Sequence, residues 1–571
     1  MPGRQVSRAR LWGRLLDHLP YRGRGRPADA EVRPHGGRSA SPARSPRTIA
    51  FYPFLLAAAR VLYQGQHNPG YFTLPDLFVV LAATLALVLL VYLIAELARP
   101  RTADPRLSGV CAFLGVCWLF GFPALADELP AGAHQLPKVA LAVAGAGLCA
   151  ALLRWLARRP ARLATAVTFL TLTGTLLVVR FAAGITFDRM RARRALERST
   201  LAGELARPIL GPARVPGPAR DIYLIVLDEY ANADVLRNGL GFDNQPFLDS
   251  LRALGFTLPE AGSNYAHTML SLPSMLNSAH LAPLAQELGA ASKDPSIPNA
   301  LLARNRVARF LKDRGYRYVF FPSYWWLSTA ESPTADSVVR VLPGFDLDRE
   351  LGRTEFRRTL VQASLLDYVH RDAAWDGVFI RRTLEEAGRL PAVRAPVFAF
   401  VHVLSPHGPY AFDRDCRLPE RRVAGRKKLE LYVGQIPCLN RMVLATVTHL
   451  IRDSDVPPVI LLQGDHGSAT RGFARAHAVD QLTPLAAWER LGAFGAYYLP
   501  GGGAAAFGDT VTVVNVLGDV LRHYFRAELP RAADERYLSV EDAPFDFRRV
   551  SAAWLAEHRA DSTTRFLLAP R

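Results

Sequence analysis

Three apolar runs in the second half of the chain end in side chains that could bind a metal ion. "IYLIVLDE" (222–229) closes on Asp228 and Glu229, "VFAFVHVLSPHGPY" (397–410) carries His402 and His407, and "PVILLQGDHGS" (458–468) delivers Asp465 and His466. Oxygen and nitrogen ligands of this kind suit a divalent cation such as Zn²⁺ or Mn²⁺. Between the first two runs lies "SNYAHTMLSLPSMLN" (263–277), with four hydroxyls on Ser263, Thr268, Ser271 and Ser274. A hydroxyl is a weak nucleophile until a base or a metal ion activates it, so the metal-binding and hydroxyl residues form one chemistry if the fold brings them together. Taken singly, each has an ordinary role. An acid at a strand end is commonly a turn residue or a helix N-cap, a histidine in an apolar strand can be a core residue, and Asp-His-Gly contains turn formers. The constellation is more specific than its members.

The elements that must position these residues are legible as patterns. The three runs, with "YRYVFFPS" (316–323) and "FGAYYLP" (494–500), are β-branched and aromatic throughout. Between them lie helical patterns at 245–255, 299–315 and 431–453. Strands apolar on both faces, alternating with helices, predict an α/β domain with a mostly parallel central sheet. Ligands in such sheets collect beyond the carboxyl ends of the strands, where the acids and histidines fall.

The chain order of acid pair, hydroxyl segment, HxxxxH and DHG resembles the alkaline phosphatase and sulfatase superfamily across about residues 220–525. It is most similar to the membrane-anchored branch that includes lipoteichoic acid synthases and lipid A phosphoethanolamine transferases. "EYANAD" (229–234) resembles a stretch like "ETARAD" in the transferases, "TMLSLPSM" (268–275) resembles their "TAxSxPCM", and "GDHG" resembles their "SDHG". His402 to Tyr410 resembles their "HxxxxHGPxY", with "HGPY" one residue shorter here. The resemblance implies Glu229, Thr268, Asp465 and His466 as metal ligands, with Thr268 as nucleophile. It implies His407 and His402 as groups that bind phosphate oxygens or protonate the leaving group, and His477 as a further metal- or phosphate-binding candidate.

The implied reaction is a two-step transfer through a phospho-threonine intermediate. It would move a phosphoglycerol- or phosphoethanolamine-type head group from a lipid donor to an envelope glycan or lipid. Free N–H groups at a helix start would help to hold the anion, although Pro273 suggests a helix beginning nearer Leu272. Two alternatives stay open. One is an ester hydrolase of the same superfamily; as a sulfatase it would use Ser271 as the formylglycine precursor, but Met275 stands where arginine is expected. The other is an inactive binding protein, against which the complete candidate ligand set argues. The aromatic "SYWW" (323–326) could equally line a groove or pack as a loop.

The chain has 571 residues, half of them hydrophobic, and a formal charge of +18. Apolar runs at 75–98, about 107–126, 137–157 and 163–183 are long enough to span a bilayer as helices. A shorter run at 49–64, containing Arg60, makes a fifth span and a transmembrane domain over 49–184. Residues 1–48, with eleven arginines against three acids, read as a basic disordered cytoplasmic tail, not a nucleic-acid-binding segment; a cleaved signal peptide is not expected. Basic loops at 99–106 and 154–162 predict cytoplasmic sides, and loops at 64–74 and 126–136 without Lys or Arg predict external ones. This places the catalytic part (219–545) outside the plasma (inner) membrane, after a linker over 185–218 and before a tail over 546–571. The basic stretch "DRMRARRALER" (188–198) runs against that orientation. Cys416 and Cys438 would lie where a disulfide is permitted.

Overall fold

The computed structural model describes residues 50–68, 72–100, 102–127, 135–214, 217–323, 329, 331–341, 354–362, 364–365, 372–418 and 428–559. The basic N-terminal segment, residues 324–326 of "SYWW" and the chain beyond 559 lie outside them.

Five helices come first: α1 (Tyr52–His67), α2 (Leu74–Ala98), α3 (Arg106–Asp127), α4 (Gln135–Ala157) and α5 (Pro160–Arg198). The last four contain stretches long and apolar enough to cross a membrane. At 16 residues α1 is shorter than the roughly 20 a span requires, and it packs along α5. Its Arg60 is half-buried, donating to Gln64 Oε1 at 3.0 Å and lying over the Tyr63 and Phe120 rings. Large apolar side chains such as Phe78, Ile94, Leu97, Leu148 and Leu176 face outward, a surface suited to lipid.

At about 1.5 Å per residue, the 39 residues of α5 span nearly twice a hydrocarbon core of about 30 Å. The stretch expected as a linker is therefore helical through Arg198, and α6 (Thr200–Ala206) follows at once. Residues 185–202 contain no Gly or Pro and are rich in the helix formers Arg, Ala and Leu. Leu201 and Leu205 bury themselves against Leu270, Leu284 and Leu301.

The strands that follow are β1 (Ile222–Leu227), β2 (Glu260–Gly262), β3 (Arg317–Phe321), β4 (Ser337–Val338), β5 (Val397–Val403), β6 (Val459–Gln463), β7 (Gly495–Tyr498), β8 (Thr510–Thr512), β9 (Arg536–Val540) and β10 (Ala543–Val550). Helices α7 (Gln245–Ala253) and α8 (Thr268–Asn277) lie between β1 and β3. Among the described residues the main sheet has six strands in the order β4-β3-β5-β1-β6-β7, parallel except for β7 against β6. Central β1 is buried on both faces. Ile222, Leu224 and Val226 pack with Leu272, Met275 and Leu276 of α8, while Tyr223, Ile225 and Leu227 pack with Leu439 and Val443 of helix Lys428–Asp453. That two-sided cover is why the run is apolar without alternation.

The domain continues past 545. Phe545 is fully buried, Tyr537 stacks on Tyr265 at 5.6 Å, and β10 crosses the point where a tail was expected to begin. On the membrane side, helix Glu355–Gln362 docks onto the first helices. Phe356 lies 4.9 Å from Phe72, and Arg357 pairs with Asp76 of α2 at 2.9 Å, both buried.

Candidate active site

Register brings the three strand ends together. Val226 lies opposite His402 on one side and Gln463 on the other. The residues just beyond β1, β5 and β6 therefore emerge side by side. Asp228, Asp465 and His466 each offer a ligand atom, and these atoms lie within 4.8 Å of one another, all buried. Among the described residues, both Asp228 oxygens and Asp465 Oδ2 are buried without a well-formed hydrogen bond, although imidazole nitrogens of His402 and His466 lie 3.2 Å from Asp228 Oδ2 and Asp465 Oδ2. Buried, unsatisfied carboxylate oxygens are costly unless something binds them, so this donor set fits a divalent cation of the Zn²⁺ or Mn²⁺ kind.

Thr268 opens α8, with His267 as an extended N-cap (φ −133°, ψ 136°), so the helix starts before Leu272 and contains Pro273. Its Oγ1 lies 3.0 Å from His466 Nε2. The first N–H groups of a helix lack the usual partner four residues back; Leu270 N–H donates to His267 O at 3.0 Å, which leaves the Thr268 and Met269 N–H groups beside the hydroxyl. Ser271 is different: its hydroxyl donates to the Asp465 carbonyl at 2.5 Å. Ser263 donates to the same carbonyl at 2.7 Å. These two serines hold the Asp465 backbone, and Ser274 donates to Ala279 O at 2.8 Å.

Glu229 departs from the expected arrangement. It has a left-handed backbone (φ 64°), and its carboxylate accepts from Arg490 Nη1 at 2.6 Å. Asp228, not Glu229, groups with Asp465 and His466. Arg490, on helix Pro484–Leu491, also donates from Nε to Ala266 O at 2.7 Å and approaches His466 Nε2 at 3.2 Å through Nη2. Neighbouring Glu489 is fully buried and accepts from Ser468 Oγ, Thr470 N and Arg471 N at 2.6–2.9 Å, fixing the loop after His466. Neither residue carried a sequence signal, because "WERLG" reads as an ordinary helix end. The glycines of "GDHG" are explained by the same crowding. A Cβ on Gly467 would sit 2.0 Å from Glu489 O, and one on Gly464 would sit 2.4 Å from Tyr230 O.

His402 is held between Ser323 Oγ, 2.8 Å from Nδ1, and Asp228 Oδ2, 3.2 Å from Nε2. His407 donates its backbone N–H to Asp228 O at 3.1 Å. The loop carrying it is tied to helix Lys428–Asp453 by a disulfide between Cys416 and Cys438. His477 stays apart: it is exposed and pairs with Asp542.

The electrostatics divide the roles. Burial pushes Asp228 up, but the imidazoles of His407, His402 and His466 outweigh it and hold the carboxyl below the usual carboxylate range. Burial, and then the charge on Asp228, push Asp465 up to about 7. Burial, with Arg490 alongside, pushes His466 well below its ordinary value, leaving a neutral imidazole suited to ligation. Burial opposes charge on His407, but Glu229 and Asp228 outweigh it and raise the value, favouring a protonated ring.

A family model described as Sulfatase matches residues 220–509, just over half of the chain, and the chain belongs to that family, within the alkaline phosphatase superfamily. The described domain is thus that of a sulfatase-family enzyme. Solved structures similar to it include the C-terminal periplasmic domain of EcEptC from Escherichia coli, at 11% identity, covering 59% of this chain and 94% of that one, with a TM-score of 0.38. The integral membrane protein lipooligosaccharide phosphoethanolamine transferase A (EptA) from Neisseria meningitidis matches at 12% identity over 83% of this chain and 94% of that one, with a TM-score of 0.37. A protein in the alkaline phosphatase superfamily from Vibrio parahaemolyticus matches at 12% identity over 58% and 75%, with a TM-score of 0.36. No curated protein matches the chain.

Proposed function

We propose that the chain is a membrane-anchored, metal-dependent phosphotransferase. It moves a phosphoryl-linked head group, of the phosphoglycerol or phosphoethanolamine type, from a lipid donor to an envelope glycan or lipid. The observation that carries this reading is the position of Thr268: its Oγ1 lies at a helix start, 3.0 Å from His466 Nε2, beside the buried Asp228, Asp465 and His466 group. The apolar helices support a catalytic domain held at a membrane, where a lipid donor and an envelope acceptor would both reside. The basic loops at 99–106 and 154–162 support an extracytoplasmic position.

Asp228, Asp465, His466 and Thr268 would hold the cation, while Glu229 stays paired with Arg490. When bound, the cation lowers the pKa of the hydroxyl and neutralises phosphoryl charge. Thr268 Oγ1, its proton released to solvent, would attack phosphorus as the alkoxide; an O–P bond forms as the P–O bond to the lipid alcohol breaks. His407 donates its proton to that leaving oxygen, and His402, braced by Ser323 and Asp228, positions the phosphoryl oxygens. In the second step the acceptor hydroxyl attacks the phospho-threonine, His407 takes the acceptor proton, and Thr268 is regenerated. The formylglycine route is disfavoured because Ser271 is fully buried and its hydroxyl is engaged by Asp465 O.

The test is to incubate detergent-purified protein with labelled phospholipids and Mn²⁺ or Zn²⁺. Diacylglycerol release that requires Thr268 supports the reading. Phosphate or sulfate release from soluble esters with lipids untouched would show a hydrolase instead, and activity lost only in Ser271→Ala would move the nucleophile.

A further inference from the structure

The outer length of α5 carries a site that phosphoryl transfer does not use. Phe187, Met190, Arg191, Arg194 and Arg198 fall at i, i+3, i+4, i+7 and i+11, so they share one face of the helix. They form one wall of a cavity of about 480 Å³, with Leu288 and Ile297 also lining it. Its height is fixed by an adjoining cavity of about 980 Å³, which shares Arg191 and Leu288 and reaches Gln66 near the end of α1 and Phe72 just before α2. The site therefore lies where the apolar helices leave the bilayer.

Its chemistry is graded along the helix. Phe187 and Met190, 54% and 47% exposed, come first after the apolar span. The arginines follow, with Arg194 about 10 Å farther along at 1.5 Å per residue. Among the described residues Arg191, Arg194 and Arg198 have no acidic partner, whereas Arg193, off this face, pairs with Glu197 at 2.9 Å. Arg191 lies over the Phe187 ring at 5.1 Å. Glu287, the acid of this cavity, is already engaged, accepting from Ser199 Oγ at 2.5 Å and Leu201 N at 2.9 Å. The smaller cavity thus has three arginines against one committed acid, whereas acids and bases balance in its larger neighbour.

We infer that this cavity binds the phosphate head group of an anionic phospholipid from the surrounding bilayer, with the acyl chains passing Phe187 and Met190. Guanidinium forks match phosphate oxygens, and the apolar pair below them matches the glycerol and first methylenes. A lipid held here would fix the catalytic domain at one height above the membrane. It also gives a purpose to the basic stretch that runs against the charge bias of the loops.

The test uses the full chain in detergent, titrated with phosphatidylglycerol, phosphatidylcholine or inorganic phosphate, and read by native mass spectrometry and thermal shift. Phosphatidylglycerol should be retained and should raise the melting temperature more than phosphatidylcholine. Arg194→Gln should weaken it about fivefold, as expected for one basic residue at an anionic surface, and the Arg191/Arg194/Arg198→Gln triple variant should abolish the preference. Arg193→Gln, which removes a charge from the same turn but another face, should change affinity less than twofold. Equal binding of the two lipids overturns the proposal, as does an Arg193→Gln effect equal to that of Arg194→Gln, which would indicate diffuse charge. Protection by inorganic phosphate matching that of the lipid would also overturn it.

Discussion

Arg490 Nη1 sits 2.6 Å from Glu229 Oε1, although 261 residues of chain separate them, and their side chains are only 9% and 5% exposed. A buried pair of this kind adds little net stability over an apolar replacement, but removing one partner strands the other. Arg490→Met should therefore cost about 3–5 kcal/mol of unfolding free energy, seen as a lower melting temperature of the purified protein. Glu229→Gln should cost less, because a neutral amide oxygen can still accept from the guanidinium. Equal losses from the two variants would show that the pair is not the stabilising unit.

Thr268 and Ser271 lie one turn apart on α8 and should separate cleanly. Thr268→Ala should abolish lipid head-group transfer with little change in melting temperature, and it should weaken metal binding less than Asp228→Asn does, because it removes a neutral ligand and not a charged one. Thr268→Ser should retain part of the activity because it keeps a hydroxyl. Ser271→Ala removes a hydroxyl that donates to Asp465 O at 2.5 Å, so it should cost about 1 kcal/mol of stability and leave turnover within a few-fold. Steady-state kinetics with thermal melts on each variant decide the matter.

The disulfide between Cys416 and Cys438 closes a loop across 22 positions just after His407. Replacing both cysteines with serine should cost about 3 kcal/mol, mainly by freeing the unfolded chain. If the bridge also positions the His407 loop, the double variant should lose kcat by more than it raises KM. A drop in stability with unchanged kcat would confine its role to the fold.

How much of this was legible depended on which forces were local. The strands and their chain order could be read because burial on both faces leaves an unbroken apolar run, as in β1, β5 and β6. Their register then placed Asp228, His402 and Asp465 at one edge, as expected for a parallel sheet. The direction of Glu229 could not be read. Its left-handed backbone breaks the alternation of the strand, and nothing in "LDEY" reports a positive φ. Arg490 was invisible because its partners come from distant segments and its own helix has no marked composition. The α5 extension was obscured by its charge: arginine reads as loop or linker by polarity, yet it is a good helix former. The start of α8 was expected too late because Pro273 suggested a first-turn position, whereas it lies inside the helix.

Metal binding offers the sharpest division between Asp228 and Glu229. Asp228 groups with Asp465 and His466, whereas Glu229 faces Arg490. Asp228→Asn should therefore lose bound Zn²⁺ or Mn²⁺ on dialysis, and Glu229→Gln should retain most of it, as read by elemental analysis. A Glu229→Gln variant as metal-free as Asp228→Asn would put Glu229 in the ligand set. The pH dependence follows from the same group. Burial and the neighbouring charge of Asp228 hold Asp465 at about 7, so below that pH a metal ion must displace its proton. His466 is already neutral there, since its value is pushed well down, and it contributes no proton. Apparent metal affinity should rise about tenfold per pH unit from about pH 5 to 7 and then flatten, with about one proton released per ion bound in the rising range. Calorimetry in buffers of different ionisation enthalpy measures that proton count, and a pH-independent affinity would exclude Asp465 as the ligand that gates binding.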